Sequence, residues 1–172
     1  MKVFRLVQFL IGCLIMALAS CHGQKFEPVA AQTKLIDMNG DGQPDRVSMD
    51  SQNRIWVEIA KEGGFQEPTI WWTPDRTVLP EFWLADVTGD GKPDLIVRAE
   101  GGLRVAPGAL NRFNPATEWL HELPPLSSEG IRFEDVDGDG KFDLILRGLD
   151  GEGNSYTSSG QRFEPRHTKR KP

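Results

Sequence analysis

Three aspartate-rich loops carry the clearest chemical signal in this sequence. The last of them runs from Asp135 to Asp143, with carboxylates at positions 1, 3, 5 and 9 and Gly140 at position 6. Carboxylates that alternate along a tight turn supply the oxygen ligands that a hard cation such as Ca²⁺ prefers, and glycine permits the sharp turn. Similar stretches occupy residues 37–45 and 86–94, so the first aspartates, at 37, 86 and 135, recur every 49 residues. The pattern predicts a repeated cation-binding loop.

The acidic residues of the chain are concentrated in these loops. The 172 residues include 20 Lys and Arg against 25 Asp and Glu, and ten of those acids are loop aspartates. A nucleic-acid-binding protein normally carries a concentrated basic surface, and the three histidines lack the spacing of a zinc site. We therefore expect one cation-binding domain with no nucleic-acid partner.

The first twenty residues have the features of an export signal. A short basic segment precedes an apolar run over residues 6–19, which is too short for a membrane span. The tetrapeptide at 18–21 resembles the lipobox of bacterial lipoproteins, which implies cleavage after Ser20 and a lipid on Cys21. The alternative is an ordinary secretory signal in which Cys21 is incidental. Because Cys13 lies in the segment to be removed, no disulfide is expected in the domain.

These features predict four segments along the chain. They are a lipoprotein signal peptide over 1–20, a lipid-anchored linker over 21–24, a repeat domain over 25–166 and a basic tail over 167–172. The anchor predicts a location outside the cytoplasm, at the bacterial cell envelope, and His22 after the lipidated cysteine favours the outer membrane. The tail is a solvated terminus or, alternatively, is attracted to anionic lipid.

Short apolar segments flank each loop, as expected for strands. They precede the loops at 34–36, 82–85 and 131–133 and follow them at 46–49, 95–98 and 144–147. Third strands are predicted at 53–60, 103–106 and 155–158, and fourth strands at 69–72 and 117–120, after a recurring Phe-x-Pro-like phrase. The 18 Gly and 12 Pro interrupt the chain too often for long helices. We predict an all-β fold of three antiparallel repeats of about 49 residues.

The EF-hand is the competing interpretation of the loops. Its loop ends in a bidentate glutamate at position 12 and lies between helices. Position 12 is Ser48, Val97 or Leu146 in this chain, and the flanking segments are strand-like. These residues exclude an EF-hand.

The loop pattern Asp-x-(Asp/Asn)-Gly-Asp-Gly-x-x-Asp at 37–45 and 135–143, the apolar strand after it and the Phe-x-Pro phrase resemble another family. They are similar to FG-GAP/VCBS repeats, the calcium-loop modules of integrin-type β-propellers. The resemblance covers roughly residues 25–166 and implies three propeller-blade-like repeats. Because propellers typically have four to eight blades, three repeats predict an open or partial β-propeller, or a ring completed by self-association.

The resemblance also implies ligands for up to three calcium ions. Position 7 would contribute its backbone carbonyl, so its side chain should matter little. The implied ligands are Asp37, Asn39, Asp41, Gln43 and Asp45 in the first loop, Asp86, Thr88, Asp90, Lys92 and Asp94 in the second, and Asp135, Asp137, Asp139, Lys141 and Asp143 in the third. Because affinity follows ligand charge, the third site should be strongest and the second, with Thr88 at position 3, weakest. Alternatively, the Asp-Gly and Asn-Gly pairs only form turns.

No motif typical of a catalytic centre is found in the chain. The sequence therefore predicts a non-enzymatic, calcium-stabilised, lipid-anchored envelope protein that acts as a binding or adhesion module. The alternative is an accessory or scaffold module of an envelope polysaccharide-processing or assembly system. The expected partners are the membrane, through lipidated Cys21, an unknown protein or glycan ligand, and a second copy of the chain.

Tryptophans are the best candidates for ligand contacts. Trp71, Trp72 and Trp119 follow the Phe-x-Pro phrases, and tryptophan is enriched at binding surfaces. The alternative is that they fill the core between repeats. Because neighbouring residues of a strand point to opposite faces, one of Trp71 and Trp72 is expected to be less buried than the other.

Overall fold

The computed structural model describes residues 28–149, 151 and 153–166, with the side chains of all of these except 28–32 and 127–129. Within this part of the chain there are sixteen strands and no helix, which confirms the all-β prediction. The described residues accordingly include no helix long and apolar enough to cross a membrane. The predicted signal peptide, Cys21 with its linker and the basic tail lie outside the described residues.

Three four-stranded antiparallel sheets, which we call blades 1 to 3, follow one another along the chain. Blade 1 contains β1 (Pro28–Ile36), β2 (Asp45–Asp50), β3 (Ile55–Glu58) and β6 (Thr69–Trp72), with a small hairpin of β4 (Ala60–Lys61) and β5 (Gly64–Phe65) before β6. Blade 2 contains β7 (Val78–Ala85), β8 (Asp94–Ala99), β9 (Leu103–Ala106) and β12 (Thr117–Leu120), with the hairpin of β10 (Gly108–Ala109) and β11 (Arg112–Phe113). Blade 3 contains β13 (Leu126–Glu134), β14 (Asp143–Gly148), β15 (Gly153–Ser158) and β16 (Phe163–Pro165).

The predicted strands are confirmed, although several boundaries differ. The connection between β6 and β7 covers only residues 73–77, because β7 already begins at Val78. β7 pairs with β8 through Val78 and Ala99 and again through Phe82 and Val97. Between these pairs β7 has two residues more than β8, and they form a bulge. The third strand of the first repeat is shorter than predicted, since Asn53 lies in a turn with a φ of 59°.

Blade 3 differs from the others at its fourth strand. β16 begins at Phe163, which pairs with Ser158, as Phe113 pairs with Gly108 in the hairpin of blade 2. β16 therefore corresponds to the hairpin strands β5 and β11, and not to β6 and β12. Among the described residues, blade 3 has no counterpart of those two strands.

The cores lie between successive blades. On β8, Leu95 and Val97 belong to an apolar cluster shared with blade 1, while Ile96 on the opposite face belongs to a cluster shared with blade 3. The uninterrupted Leu-Ile-Val run is thus a strand buried on both faces, as predicted. Within the described residues, no apolar cluster joins blade 1 to blade 3. The three blades form an open, partial β-propeller.

The two end faces of this arrangement are polar. Leu95 on β8 and Leu144 on β14 pack against the preceding blade. The equivalent residue on β2 of blade 1 is Arg46. The Arg46 guanidinium lies 3.2 Å from Glu58 and 4.1 Å from the centre of the Phe65 ring. On the far face of blade 3, Arg132 is exposed at the position that Trp83 fills in blade 2. Repeat proteins need polar end faces for solubility, although Leu35 and Ile70 of blade 1 are 64% and 44% exposed beside these charged groups.

Candidate metal centres

The aspartate loops connect the first two strands of each blade. Each loop contains two glycines in the left-handed region, with φ values of 80° and 82° at Gly40 and Gly42 and of 78° and 86° at Gly138 and Gly140. A residue with a Cβ adopts this conformation only at a cost. The sequence identified the glycine at position 6, and the structure adds the same requirement at position 4.

The aspartate at position 1 is the centre of each loop. In the third loop, Asp135 accepts hydrogen bonds from the backbone N–H of Gly138 at 2.7 Å and of Gly140 at 3.0 Å. Asp37 in the first loop is held in the same way by Gly40 and Gly42, and the Gly42 amide in particular holds the pKa of Asp37 below its ordinary value. A carboxylate fixed by several amides is already ionised and oriented before a cation arrives.

The aspartate at position 9 has a structural role besides its predicted role as a ligand. Asp94 is fully buried, and it accepts backbone hydrogen bonds from Val87 at 2.9 Å, Thr88 at 2.8 Å and Gly108 at 2.8 Å. Burial raises the pKa of this carboxyl group, and the surrounding amides act in the opposite direction. The equivalent residues are Asp45, bonded to Met38 and Ala60, and Asp143, bonded to Val136 and Ser158. Position 9 therefore ties the start of each loop to the end of the third strand.

The third loop has the most complete set of acidic ligands. Oxygen atoms of Asp135, Asp137 and Asp143 lie within 4.8 Å of one another and could hold a metal ion. Asp143 can take part because a carboxylate oxygen that accepts an N–H bond keeps a second lone pair. Position 3 is less suitable in the other loops, since the Thr88 hydroxyl donates to Asp94 and the Asn39 amide donates to Asp41. This geometry makes the third loop the best candidate for a metal site.

The side chain at position 7 makes contacts that the sequence did not predict. The Lys92 ammonium group lies 3.2 Å from Asp90, and Lys141 makes the same contact with Asp139 in the third loop. The Lys141 contact lowers the pKa of Asp139 and raises the pKa of Lys141 itself. A cation bound through the aspartate at position 5 would have to share that carboxylate with the lysine, whereas Gln43 imposes no such competition in the first loop.

The three candidate tryptophans lie in the cores between blades. Trp71 and Trp72 are 5% and 6% exposed, so the expectation that one of them is less buried was wrong. The reason is a bulge: Trp72 pairs with Ile55 and Ile70 with Trp56, which leaves Trp71 as an extra residue in β6. Trp119 is the extra residue of β12 in the same way, and it is 5% exposed. These positions fit the packing alternative.

The buried tryptophans also explain the Phe-x-Pro phrase. The Trp71 ring meets Phe113 of the next blade edge-on, with centroids 5.9 Å apart, and Trp119 meets Phe163 at 5.2 Å. The indole N–H of each tryptophan donates to a threonine two residues earlier. The sequence contains a signal for these buried tryptophans, a Thr-x-Trp pattern at 69–71 and 117–119. The interpretation based on the aspartate loops did not use it.

Comparisons with known proteins agree with this architecture. The model of the FG-GAP-like repeat family matches residues 37–97 and again residues 86–146. Among solved structures, similarity is found to one described as the basis of specific recognition of non-reducing terminal N-acetylglucosamine by an Agrocybe aegerita lectin. The TM-score is 0.65 at 20% identity, and the match covers 76% of this chain but only 36% of the other. A search of curated protein sequences gave no match.

The lectin comparison supports the fold alone, because the identity is low. The family match has a firmer basis, since each matched segment begins at the first aspartate of a loop and ends in the strand that directly follows the next loop. Together the two segments span well over half of the sequence. The chain belongs to the FG-GAP-like repeat family.

Proposed function

We propose that the protein is a non-enzymatic binding or adhesion module, stabilised by calcium and anchored by a lipid to the bacterial cell envelope. The observation that carries the proposal is the third loop, where Asp135, Asp137 and Asp143 converge on a space that suits a divalent cation. FG-GAP-like repeats and a lectin-like structural neighbour both fit a binding module. The lectin's recognition of N-acetylglucosamine supports a sugar as the ligand, and the outer membrane is the favoured location.

Calcium would act on the fold in this proposal. The loops join the first two strands of each blade. Carboxylates crowded on a nine-residue turn repel one another until a cation neutralises their charge. The ligands would be the aspartates at positions 1 and 5, the residue at position 3, the carbonyl at position 7 and, through its second lone pairs, position 9. Binding to the folded state alone would raise the free energy of unfolding.

Removing calcium is therefore expected to lower the melting temperature. With dissociation constants on the order of 10⁻⁴ M, 1 mM Ca²⁺ would contribute about 1.4 kcal/mol at each occupied site, and three sites would shift the transition by about 10 °C. The measurement is a thermal melt in 1 mM Ca²⁺ against excess chelator. The variant Asp137→Asn gives the third loop the amide of the first, and it should reduce the shift by weakening one site. Superimposable melts with and without chelator would contradict the proposal.

The lipid anchor is tested separately at Cys21. In the bacterium, the wild-type protein should fractionate with membranes and carry the mass of a lipid, whereas Cys21→Ser should lose the modification and leave the membrane fraction. Cys13→Ser is the matched control, because residue 13 lies in the segment that cleavage would remove. Equal membrane association of all three proteins without an added lipid mass would exclude this anchor.

A further inference from the structure

The two junctions between blades are built differently. At the junction of blades 2 and 3, the Phe142 N–H donates to the Asp86 carbonyl at 2.8 Å. The Ser158 hydroxyl donates to the Val87 carbonyl at 2.5 Å. These two bonds connect the aspartate loop of blade 2 directly to blade 3.

Neither bond can form at the junction of blades 1 and 2. The residue equivalent to Phe142 is Pro93, which has no N–H, and the residue equivalent to Ser158 is Gly108, which has no side chain. Gly108 is also required by space, because a Cβ at this position would lie 2.5 Å from the Pro93 carbonyl oxygen. The carbonyl groups of Asp37 and Met38 therefore receive no equivalent donor from blade 2.

The lysine at position 7 widens this difference. At the second junction, the Lys141 side chain lies over Gly89, so close that a Cβ on Gly89 would be 2.7 Å from Lys141 Cγ. At the first junction, nothing lies within 4 Å of the equivalent position on Gly40. Lys92 stays outside and is 53% exposed, against 23% for Lys141. The second junction is closed and the first is open.

The opening at the first junction is a cleft of about 330 Å³. This first-junction cleft is lined by Asp37, Asn39, Lys92, Pro93, Leu110 and Asn111, among other residues. Its volume lies at the lower end of the range for small-molecule sites, roughly 300–1,000 Å³. It is therefore large enough for one small ligand.

The chemistry of the cleft is mixed. Leu110 at the tip of the β10–β11 hairpin is 81% exposed and presents an apolar surface. Next to it, the Asn111 side chain makes no hydrogen bond with the described residues, and its amide can both donate and accept. Lys92 pairs with Asp90 on the opposite rim, and the Asp37 carboxylate is held by amides of its own loop. An apolar face beside amide and carbonyl groups suits an uncharged ring that carries hydroxyl groups.

We propose that the first-junction cleft binds a single uncharged sugar residue. The apolar face of the sugar ring would lie on Leu110, and its hydroxyl groups would bond to the Asn111 amide and to the carbonyl groups of Asp37 and Met38, which are equivalent to those that bond Phe142 and Ser158 at the second junction. This assignment rests on the proposed binding function and gives it a location. One site is expected for the described part of the chain, at the open junction.

The test is saturation-transfer NMR of the full chain with N-acetylglucosamine as the probe. Two variants address the cleft: Leu110→Asp, and Asn111→Gly, which keeps the turn because glycine readily adopts the φ of 59° found at this residue. Each should weaken binding at least tenfold. Leu149→Asp is the matched control, since Leu149 is 73% exposed outside the cleft, and it should bind as the wild type does.

The outcomes separate this assignment from the proposed function. Binding that is equally strong in the wild type and both cleft variants would overturn the cleft as the site and leave a sugar-binding module standing. No binding of N-acetylglucosamine or of a panel of other neutral monosaccharides would overturn the assignment. Retention of the protein by isolated cell-envelope material would then show whether the binding function itself survives.

Discussion

Replacing Asp94 with alanine is expected to unfold the middle blade. The change leaves the N–H groups of Thr88 and Gly108 without their acceptor, whereas the Val87 N–H keeps a bond to the Ala85 carbonyl. At about 1–3 kcal/mol for each unsatisfied group, the loss is roughly 2–6 kcal/mol. Removing a buried charge returns part of this, because burial alone raises the pKa of Asp94 and disfavours its ionised form. The two unsatisfied donors outweigh that gain, and the loss is a large share of a typical stability of about 5–15 kcal/mol. Chemical denaturation followed by circular dichroism measures it.

Asp90→Ala in the same loop is the matched control. Asp90 is exposed, and among the described residues its carboxylate accepts hydrogen bonds only from the amide and ammonium groups of Lys92. We expect this variant to keep nearly all of its stability in chelator and to lose the part that calcium adds through the second loop. Asp94→Ala should be destabilised with or without calcium. Equal destabilisation of the two variants in chelator would show that position 9 is not the tie that its hydrogen bonds indicate.

The position-9 aspartate shows where sequence reasoning reaches its limit. The spacing identified Asp45, Asp94 and Asp143 as a repeated set, and the structure confirms that the set shares one environment. Spacing does not distinguish a ligand from a buried acceptor, however, because both need an oxygen at a fixed place. The distinction depends on Ala60, Gly108 and Ser158, which reach the carboxylates from 14 or 15 residues away. These contacts follow from the order of strands in the sheet and not from the sequence of the loop.

Strands and faces were more accessible from the sequence than side-chain roles. The Leu-Ile-Val run at 95–97 predicts a strand covered on both sides, and the two clusters around it confirm this. The polar end faces could also have been recognised, because Arg46 stands where the other repeats have leucine. The orientation of Trp71 could not have been recognised from the sequence, because the alternation of side chains along a strand fails at a bulge.

Replacing Trp119 with alanine is expected to separate blade 3 from blade 2. Trp119 is 5% exposed and meets Phe163 of blade 3 edge-on, with ring centroids 5.2 Å apart. Loss of a buried tryptophan typically costs about 3–5 kcal/mol. Because this side chain lies in the cluster shared by blades 2 and 3, the effect should be local at first. Hydrogen exchange should accelerate in β14 and β15 more than in β2 and β3.

A double-mutant cycle isolates the contact between the two rings. Trp119→Ala and Phe163→Leu should be coupled by about 0.5–1.5 kcal/mol, the range for edge-to-face aromatic pairs. Glu118→Ala, an exposed neighbour on the same strand, should change stability by less than about 0.5 kcal/mol. Additive single effects, or exchange that accelerates equally in all three blades, would mean that the tryptophan stabilises the chain as a whole. A coupling energy in this range, together with exchange that accelerates mainly in blade 3, would identify the Trp–Phe pair as the element that holds one repeat to the next.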